Sequence, residues 1–119
     1  MIPQYTAASL VSENKILAHP AVVDSIPTSG GKEDYNSLAS LSAWKAYQIA
    51  ANVEYILAIE LLTTSQALDY CELSRMAPAT RKAYEHVRES IPHLSEDRPL
   101  HQDIEKARDL IRGEGLIHV

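Results

Sequence analysis

Apolar residues recur every three or four positions along most of this chain, which is the spacing of a helix with one buried face. Prolines and glycines divide this pattern into separate segments. The pattern predicts helices at residues 1–18, 36–74, 78–91 and 99–112, with an extended connection and loop at residues 19–35. We therefore expect an all-α fold, a helical bundle built on one very long central helix with flanking shorter helices, as a single unit of 119 residues.

The predicted long helix contains no Gly or Pro, and either Asn36 or Ser37 is suited to cap its start. Its apolar residues lie on more than one face, and few charged residues separate them. At the usual rise per residue it would be about 55 Å long, whereas a compact protein of this chain length is about 35 Å across. We therefore expect other helices to cover it, either in a homo-oligomer or from another polypeptide.

The charge and composition argue against several classes of protein. The net charge is −5 without any run of Lys and Arg, so neither nucleic acid nor an anionic membrane surface is an expected partner. No stretch of about 18 apolar residues and no signal-peptide pattern is present, so we expect a cytoplasmic protein that does not enter a membrane. Cys71 is the only cysteine, which excludes an internal disulfide. The spacing of the histidines predicts no metal site.

The candidate chemistry lies in the loop SIPTSGGKEDYNSL, just ahead of the long helix. A Gly-Gly pair is followed there by Lys32, Glu33 and Asp34. Carboxylates at a helix start are common because they oppose the helix dipole and bind free N–H groups. Alternatively, the loop presents a carboxylate to a cleft, where it could bind a substrate cation or transfer a proton. The residues alone leave both interpretations open.

The order of short motifs resembles one family of enzymes. The series "QYTAA", "SENK", "HPA", "VDSIPTS" and "ED" is similar to a stretch of the histidine and aromatic amino-acid ammonia-lyases, almost continuously from Met1 to about Leu62. Several clustered matches in one order are more specific than any single motif. The resemblance implies that this chain corresponds to the C-terminal portion of a histidine ammonia-lyase, which converts L-histidine to urocanate and ammonia.

The same resemblance implies that most of the catalytic groups lie elsewhere. The family's electrophile is a 4-methylidene-imidazol-5-one group formed from an Ala-Ser-Gly triplet, and this sequence contains no such triplet. Thr28-Ser29-Gly30 is the nearest substitute, but the resemblance places it in the carboxylate loop. The family's tyrosine base and carboxylate-binding arginine also come from earlier segments. We therefore expect no cofactor, no catalytic residue and no metal ligand in this chain.

Glu33 is the one site residue that the resemblance assigns to this chain, as a substrate-binding residue. Histidine-specific members have Glu at this position, and plant-type phenylalanine-specific members have Gln. A carboxylate there can accept a hydrogen bond from a substrate imidazole and favour its charged form. This loop departs from the bacterial pattern, because Gly30-Gly31-Lys32 replaces Ala-Asn-Gln and Tyr35-Asn36 replaces His-Val. Lys32 could compete for the carboxylate, so substrate identity stays open.

These expectations lead to one functional interpretation with two alternatives. The chain is expected to be part of a histidine ammonia-lyase-like enzyme that is inactive alone, with a homo-oligomer, an N-terminal lyase polypeptide or both as partners. The alternatives are a non-catalytic helical oligomer derived from the family, and part of an aromatic amino-acid ammonia-lyase or aminomutase. The sequence does not distinguish a cut fragment, a separately encoded subunit and a degenerate relative.

Overall fold

A computed structural model describes residues 1–113 and residue 116 of the chain. Its only β-type pairing within these residues is one isolated bridge, and the predicted all-α class is confirmed. Single turns of 3₁₀ helix occur at Ser29–Gly31 and at Leu73–Arg75. The described residues form four α-helices, which are α1 (Ile2–Leu17), α2 (Ala39–Leu68), α3 (Pro78–Ser90) and α4 (His101–Arg112).

The central helix is shorter than the sequence predicted. It was expected at residues 36–74, but its first residue is Ala39 and its last is Leu68. Neither predicted cap occupies the position before the helix, because Leu38 does. Asn36 instead bonds to the preceding loop, where its backbone N–H donates to Ser25 Oγ at 2.8 Å. The helix therefore begins after Asn36, because this residue is bonded to the loop and is not part of the helix.

The end of α2 is set by a change in hydrogen bonding. The N–H groups of Tyr70 and Cys71 donate to carbonyl groups three residues back, at 3.2 and 3.0 Å. Bonds of this kind tighten the last turn of a helix and end it. The other helices agree with the prediction to within one residue, except that α4 begins two residues later than expected.

The core lies between the C-terminal half of α2 and the two helices that follow. Ala58 from α2, Val87 from α3 and Ala107 from α4 are buried there together with Ile91, which follows α3. The predicted apolar faces of α3 and α4 supply these contacts. α1 runs along α2 without burying any of its own residues. Asn52 of α2 holds it by donating to Glu13 Oε2 at 2.8 Å and to Asn14 Oδ1 at 2.9 Å.

The molecule is elongated, with extents of 69 × 31 × 21 Å and a radius of gyration of 20.2 Å. A compact chain of this length would have a radius of gyration of about 13 to 14 Å. The 30 residues of α2 correspond to about 45 Å of helix. Large apolar side chains are consequently exposed on α2, including Trp44 at 58% and Tyr47 at 65%.

Two further observations concern the surface. Within the described residues, no helix is both long enough and apolar enough to cross a membrane. Cys71 is exposed at the end of α2. Its thiol lies 3.8 Å from the carbonyl oxygen of Ala67.

Candidate functional site

Glu33 lies in a narrow loop whose two sides are joined by backbone hydrogen bonds. The N–H of Thr28 donates to the carbonyl of Glu33 at 2.7 Å, and the N–H of Glu33 donates back to the carbonyl of Thr28 at 3.3 Å. Residues that exchange both bonds in this way face each other directly and project their side chains to the same side. The backbone therefore places the two side chains together.

The turn between these residues requires backbone angles that glycine adopts readily. Gly30 and Gly31 have φ angles of 66° and 83°, and Ser29 before them has a φ of 55°. A Cβ atom added at either glycine would meet no atom within 4 Å. The glycines are thus required for backbone conformation, because the left-handed region is costly for other residues. Ser29 is the one other residue with positive φ in the described part of the chain.

The Glu33 carboxylate is exposed and, within the described part of the chain, is hydrogen-bonded by the side chain of Thr28. The hydroxyl of Thr28 donates to its Oε2 atom at 3.2 Å. Among residues 1–113 and 116, no ion pair joins Lys32 to Glu33. Asp34 contributes its backbone carbonyl, which accepts a hydrogen bond from Ser25 Oγ at 3.4 Å. The carboxylate is therefore held by a neutral donor and remains able to bind a cation or an N–H group.

Asn36, which follows Glu33, bonds to residues that precede the turn of the loop. Its side-chain amide nitrogen donates to the carbonyl of Ile26 and lies 3.5 Å from Thr28 Oγ1. Asn36 is half-buried, whereas Thr28 and Glu33 are exposed. The residue that sequence reasoning considered as a helix cap therefore stabilises the loop that carries Glu33.

A second polar cluster, around Asp69, lies at the opposite end of α2. Arg88 binds the Asp69 carboxylate through two nitrogen atoms, at 2.7 and 3.0 Å, and the Tyr84 hydroxyl donates to it at 2.6 Å. His93 Nδ1 lies 2.5 Å from the same carboxylate. Burial alone would raise the pKa of Asp69, but the hydrogen bonds from Tyr84, His93 and Arg88 outweigh it and lower the pKa below its ordinary value of 3.8.

The Asp69 cluster joins α2, α3 and the segment after α3, so it stabilises the fold. Sequence reasoning did not identify it. The available signal was the spacing of Tyr84 and Arg88, which lie four residues apart and hence on one face of α3. Their partner is distant in sequence, so the pairing required the tertiary structure.

A third polar cluster joins α2 to α4. Arg108 and Arg112 both bind Glu54 Oε2, at 3.1 and 2.7 Å. The Tyr55 hydroxyl donates to Glu105 at 2.8 Å and accepts from Arg108 at 2.6 Å. The hydrogen bond from Arg112 is the largest influence on Glu54, and its pKa is lowered despite some burial. These contacts are also structural, because they connect two helices through several hydrogen bonds and ion pairs.

The histidines do not form a metal site in the described part of the chain. No group of three or more His, Cys, Asp or Glu side chains is close enough there to hold a metal ion. His86 pairs with Glu89 at 3.1 Å, and His93 belongs to the Asp69 cluster. His118 lies outside the described residues.

An apolar groove in the described part of the chain lies away from Glu33. This groove of about 740 Å³ lies between the start of α1, the C-terminal half of α2 and the connection before α4, with Ile59, Leu62 and Leu94 among its lining residues. The Glu33 loop instead lies on open surface. The described part of the chain therefore leaves the Glu33 side chain exposed and does not enclose it.

Comparisons with known proteins identify the family. Residues 1–89 match the family model described as aromatic amino acid lyase, which is most of the chain. The chain therefore belongs to the aromatic amino acid lyase family. Histidine ammonia-lyase from Natranaerobius thermophilus is 60% identical over 111 residues, which are 93% of this chain and 22% of that protein.

Solved structures of two relatives share the fold. Histidine ammonia-lyase from Trypanosoma cruzi matches with a TM-score of 0.95 and 42% identity, over 99% of this chain and 24% of that one. Tyrosine aminomutase from Streptomyces globisporus matches with a TM-score of 0.91 and 34% identity, over 97% of this chain and 22% of that one. This chain thus spans less than a quarter of the length of these relatives.

Proposed function

We propose that this chain forms the C-terminal part of a histidine ammonia-lyase-like enzyme, which converts L-histidine to urocanate and ammonia. The observation that carries the proposal is the 60% identity to a histidine ammonia-lyase along 93% of the chain. Glu33 supports it, because the resemblance implies that histidine-specific members of the family have Glu at this position.

Glu33 is the substrate-binding residue in this proposal. Its exposed carboxylate can accept a hydrogen bond from an imidazole N–H, and its negative charge favours the protonated ring. The neutral contact with Thr28 supports this role, since a carboxylate already neutralised by a basic side chain would bind a substrate cation less strongly.

The electrophile of the family does not fit the residues of this chain. Thr28-Ser29-Gly30 forms the turn of the Glu33 loop, and the carbonyl of Thr28 accepts hydrogen bonds from Gly31 at 3.0 Å and Glu33 at 3.3 Å. The triplet is thus used to hold the carboxylate. We propose that an N-terminal lyase polypeptide supplies the electrophile, the base and the group that binds the substrate carboxylate, so that this chain has no turnover alone.

The partner surface in this proposal is the exposed face of the N-terminal half of α2, the face that α1 does not cover. Leu41, Trp44 and Tyr47 are exposed there, and the Trp44 and Tyr47 rings stack with centroids 5.7 Å apart. Exposed aromatic residues of this kind are enriched in protein interfaces. We propose that this surface is covered by the N-terminal polypeptide, by further copies of the chain or by both, in the cytoplasm.

A chimera tests the function of Glu33. This chain would replace the matching segment of the Natranaerobius thermophilus enzyme, and urocanate formation would be followed by its absorbance. We expect the chimera to be active and Glu33→Ala to lower kcat/KM by roughly 10- to 100-fold, as for loss of a hydrogen bond to a charged group. Glu72→Ala, at an exposed carboxylate near the end of α2, is the matched control and should retain activity.

Three outcomes would contradict the proposal. A chimera that folds and assembles but forms no urocanate would show that this chain cannot serve as the C-terminal part of the enzyme. Full activity of the Glu33→Ala chimera would exclude the assigned role of Glu33. Urocanate or cinnamate formation by the purified 119-residue chain would contradict its dependence on a partner.

The structural similarity to a tyrosine aminomutase supports a second candidate, part of an aromatic amino-acid ammonia-lyase or aminomutase. The chimera distinguishes the two when it is assayed with L-histidine, L-phenylalanine and L-tyrosine. We expect preference for L-histidine, and we expect Glu33→Gln to reduce that preference by removing the negative charge. A preference for an aromatic substrate in the unmodified chimera would favour the second candidate.

A further inference from the structure

The Thr28 hydroxyl occupies one oxygen atom of the Glu33 carboxylate and leaves the other available. It donates to Oε2 at 3.2 Å, whereas Oε1 has no hydrogen bond to any residue among 1–113 and 116. Two backbone hydrogen bonds hold the residues opposite each other across the turn. The contact between the two side chains therefore follows from the folding of the loop.

The Glu33 carboxylate can only accept a hydrogen bond, so the Thr28 hydroxyl donates to it, and the position of Asn36 agrees with this direction. The Ile26 carbonyl can only accept a hydrogen bond, so the nitrogen end of the Asn36 amide has to point towards it. The same nitrogen lies 3.5 Å from Thr28 Oγ1 and can donate to it. Because Thr28 accepts there, its single hydroxyl hydrogen is directed to the Glu33 carboxylate.

We propose that Thr28 is a positioning residue for Glu33, which holds Oε2 and directs Oε1 towards the N–H group of an imidazole-type substrate. This inference rests on the proposed function, because it assigns Thr28 a part in the same substrate site. Thr28 does not touch the substrate in this arrangement. It limits the rotation of the Glu33 side chain, so that less side-chain freedom is lost when the substrate binds.

The backbone strain in the loop agrees with this assignment. Ser29, directly after Thr28, has a φ of 55°, which is unfavourable for a residue with a Cβ atom. Strained residues occur preferentially where the surrounding structure maintains a functional geometry. The two hydrogen bonds between Thr28 and Glu33 maintain it here.

The test is a set of threonine variants in the active chimera. Thr28→Val keeps the shape of the side chain without the hydroxyl group, and Thr28→Ser keeps the hydroxyl. We expect Thr28→Val to lower kcat/KM for L-histidine about fivefold, as for loss of one ordinary hydrogen bond, mainly through KM. Thr28→Ser should stay within about twofold of the unmodified chimera. Thr80→Val, on the exposed surface of α3, is the matched control and should cause no change.

A double-mutant cycle separates positioning from a general effect on folding. If Thr28 acts through Glu33, Thr28→Val should cause no further loss in the Glu33→Ala background. An equal loss in both backgrounds would overturn the inference, because Thr28 would then act independently of the carboxylate. Equal thermal unfolding of the Thr28→Val and unmodified chimeras is expected, and a lower midpoint that accounts for the lost activity would also overturn it.

The cycle also separates failure of this inference from failure of the proposed function. If Glu33→Ala lowers activity but Thr28→Val does not, Thr28 is not a positioning residue while the role of Glu33 stands. If Glu33→Ala has no effect, the proposed site itself is wrong and the positioning role falls with it.

Discussion

The two halves of α2 are stabilised in different ways. The C-terminal half packs against α3 and α4, contains every buried residue of the helix and ends at the Asp69 cluster. The N-terminal half lies beyond the end of α4, where Arg112 binds Glu54, and it has α1 as its helical neighbour. The loop that carries Glu33 directly precedes the N-terminal half of α2. The candidate site therefore belongs to the part of the molecule that lacks a core of its own.

This difference separates the requirements of folding from those of function. The C-terminal half is stabilised by contacts within the chain, because its buried apolar residues pack against α3 and α4 and Asp69 binds Arg88. The N-terminal half exposes aromatic side chains that are normally covered. Substitutions in the two halves should therefore affect different measurements, with stability changing in one and assembly or activity in the other.

The largest effect on stability is expected from the core. Ile91→Ala should lower the free energy of unfolding by about 3 to 4 kcal/mol, because Ile91 is fully buried and its loss leaves a cavity. Ile16→Ala, at a side chain of α1 that is 74% exposed, should change it by less than about 0.5 kcal/mol. Urea unfolding followed by circular dichroism measures both. Ile91 packs beside the C-terminal half of α2, and Ile16 lies on the helix beside the N-terminal half. Equal losses of stability for the two variants would contradict the proposed difference between these halves.

The next largest effect is expected at the Asp69 cluster. Asp69→Asn should cost about 2 to 3 kcal/mol, because Arg88 is only 15% exposed and would lose its ionic partner. The control is Glu85→Gln, which breaks the exposed pair of Arg81 and Glu85 and should cost less than about 0.5 kcal/mol. A cost for Asp69→Asn no larger than that of the control would mean that the cluster does not stabilise the fold.

The lowered pKa of Asp69 predicts loss of stability in acid. In the unfolded chain this pKa returns to about its ordinary value of 3.8, whereas in the folded chain it is lower. The contribution of Asp69 to the free energy of unfolding is therefore fully present when the pH is above the pKa of the unfolded chain. It is lost as the pH falls through the lower pKa of the folded chain. Urea midpoints measured from pH 6 to pH 3 should fall less for Asp69→Asn than for the unmodified chain. Asp109→Asn, at an exposed carboxylate, should behave like the unmodified chain.

The smallest effect on stability is expected at the uncovered surface. Trp44→Ala should change the free energy of unfolding by less than about 0.5 kcal/mol, because the side chain is largely exposed. Its effect should instead appear as weaker self-association or weaker binding to the N-terminal lyase polypeptide, measured by light scattering and by titration. A large loss of stability without any change in association would assign Trp44 to the fold rather than to an interface.

Local sequence signals predicted some helix ends better than others. Pro78 and Pro92 bracket α3, and the prediction there was correct to one residue because proline acts on its own neighbourhood. The ends of α2 were predicted too far apart. Asn36 is bonded to Ile26, ten residues earlier, and the Asp69 carboxylate to Arg88, 19 residues later. Such partners depend on the folded chain, so residue type and spacing could not reveal them.

The candidate site shows the same division. Glu33 was assigned from a motif series that resembles a known family, and its role stays a prediction. The contributions of Thr28 and Asn36 were not predicted, although Thr28 lies within one of those motifs. A hydroxyl or an amide group becomes informative only when the turn places it against the carboxylate. Here the structure added the neighbours of a residue that the sequence had already singled out.

The uninterrupted course of α2 has a consequence for how the chain can vary. Glu33 precedes one end of α2, and the core surrounds the other end. The length of the helix therefore sets the distance between the loop and the core, and its helical phase sets their relative orientation. Inserting a single residue near its middle would displace the loop by about 1.5 Å and turn it by about 100° relative to the core. Substitutions that keep α2 helical leave this alignment intact, whereas one added or deleted residue changes the direction in which the Glu33 carboxylate faces.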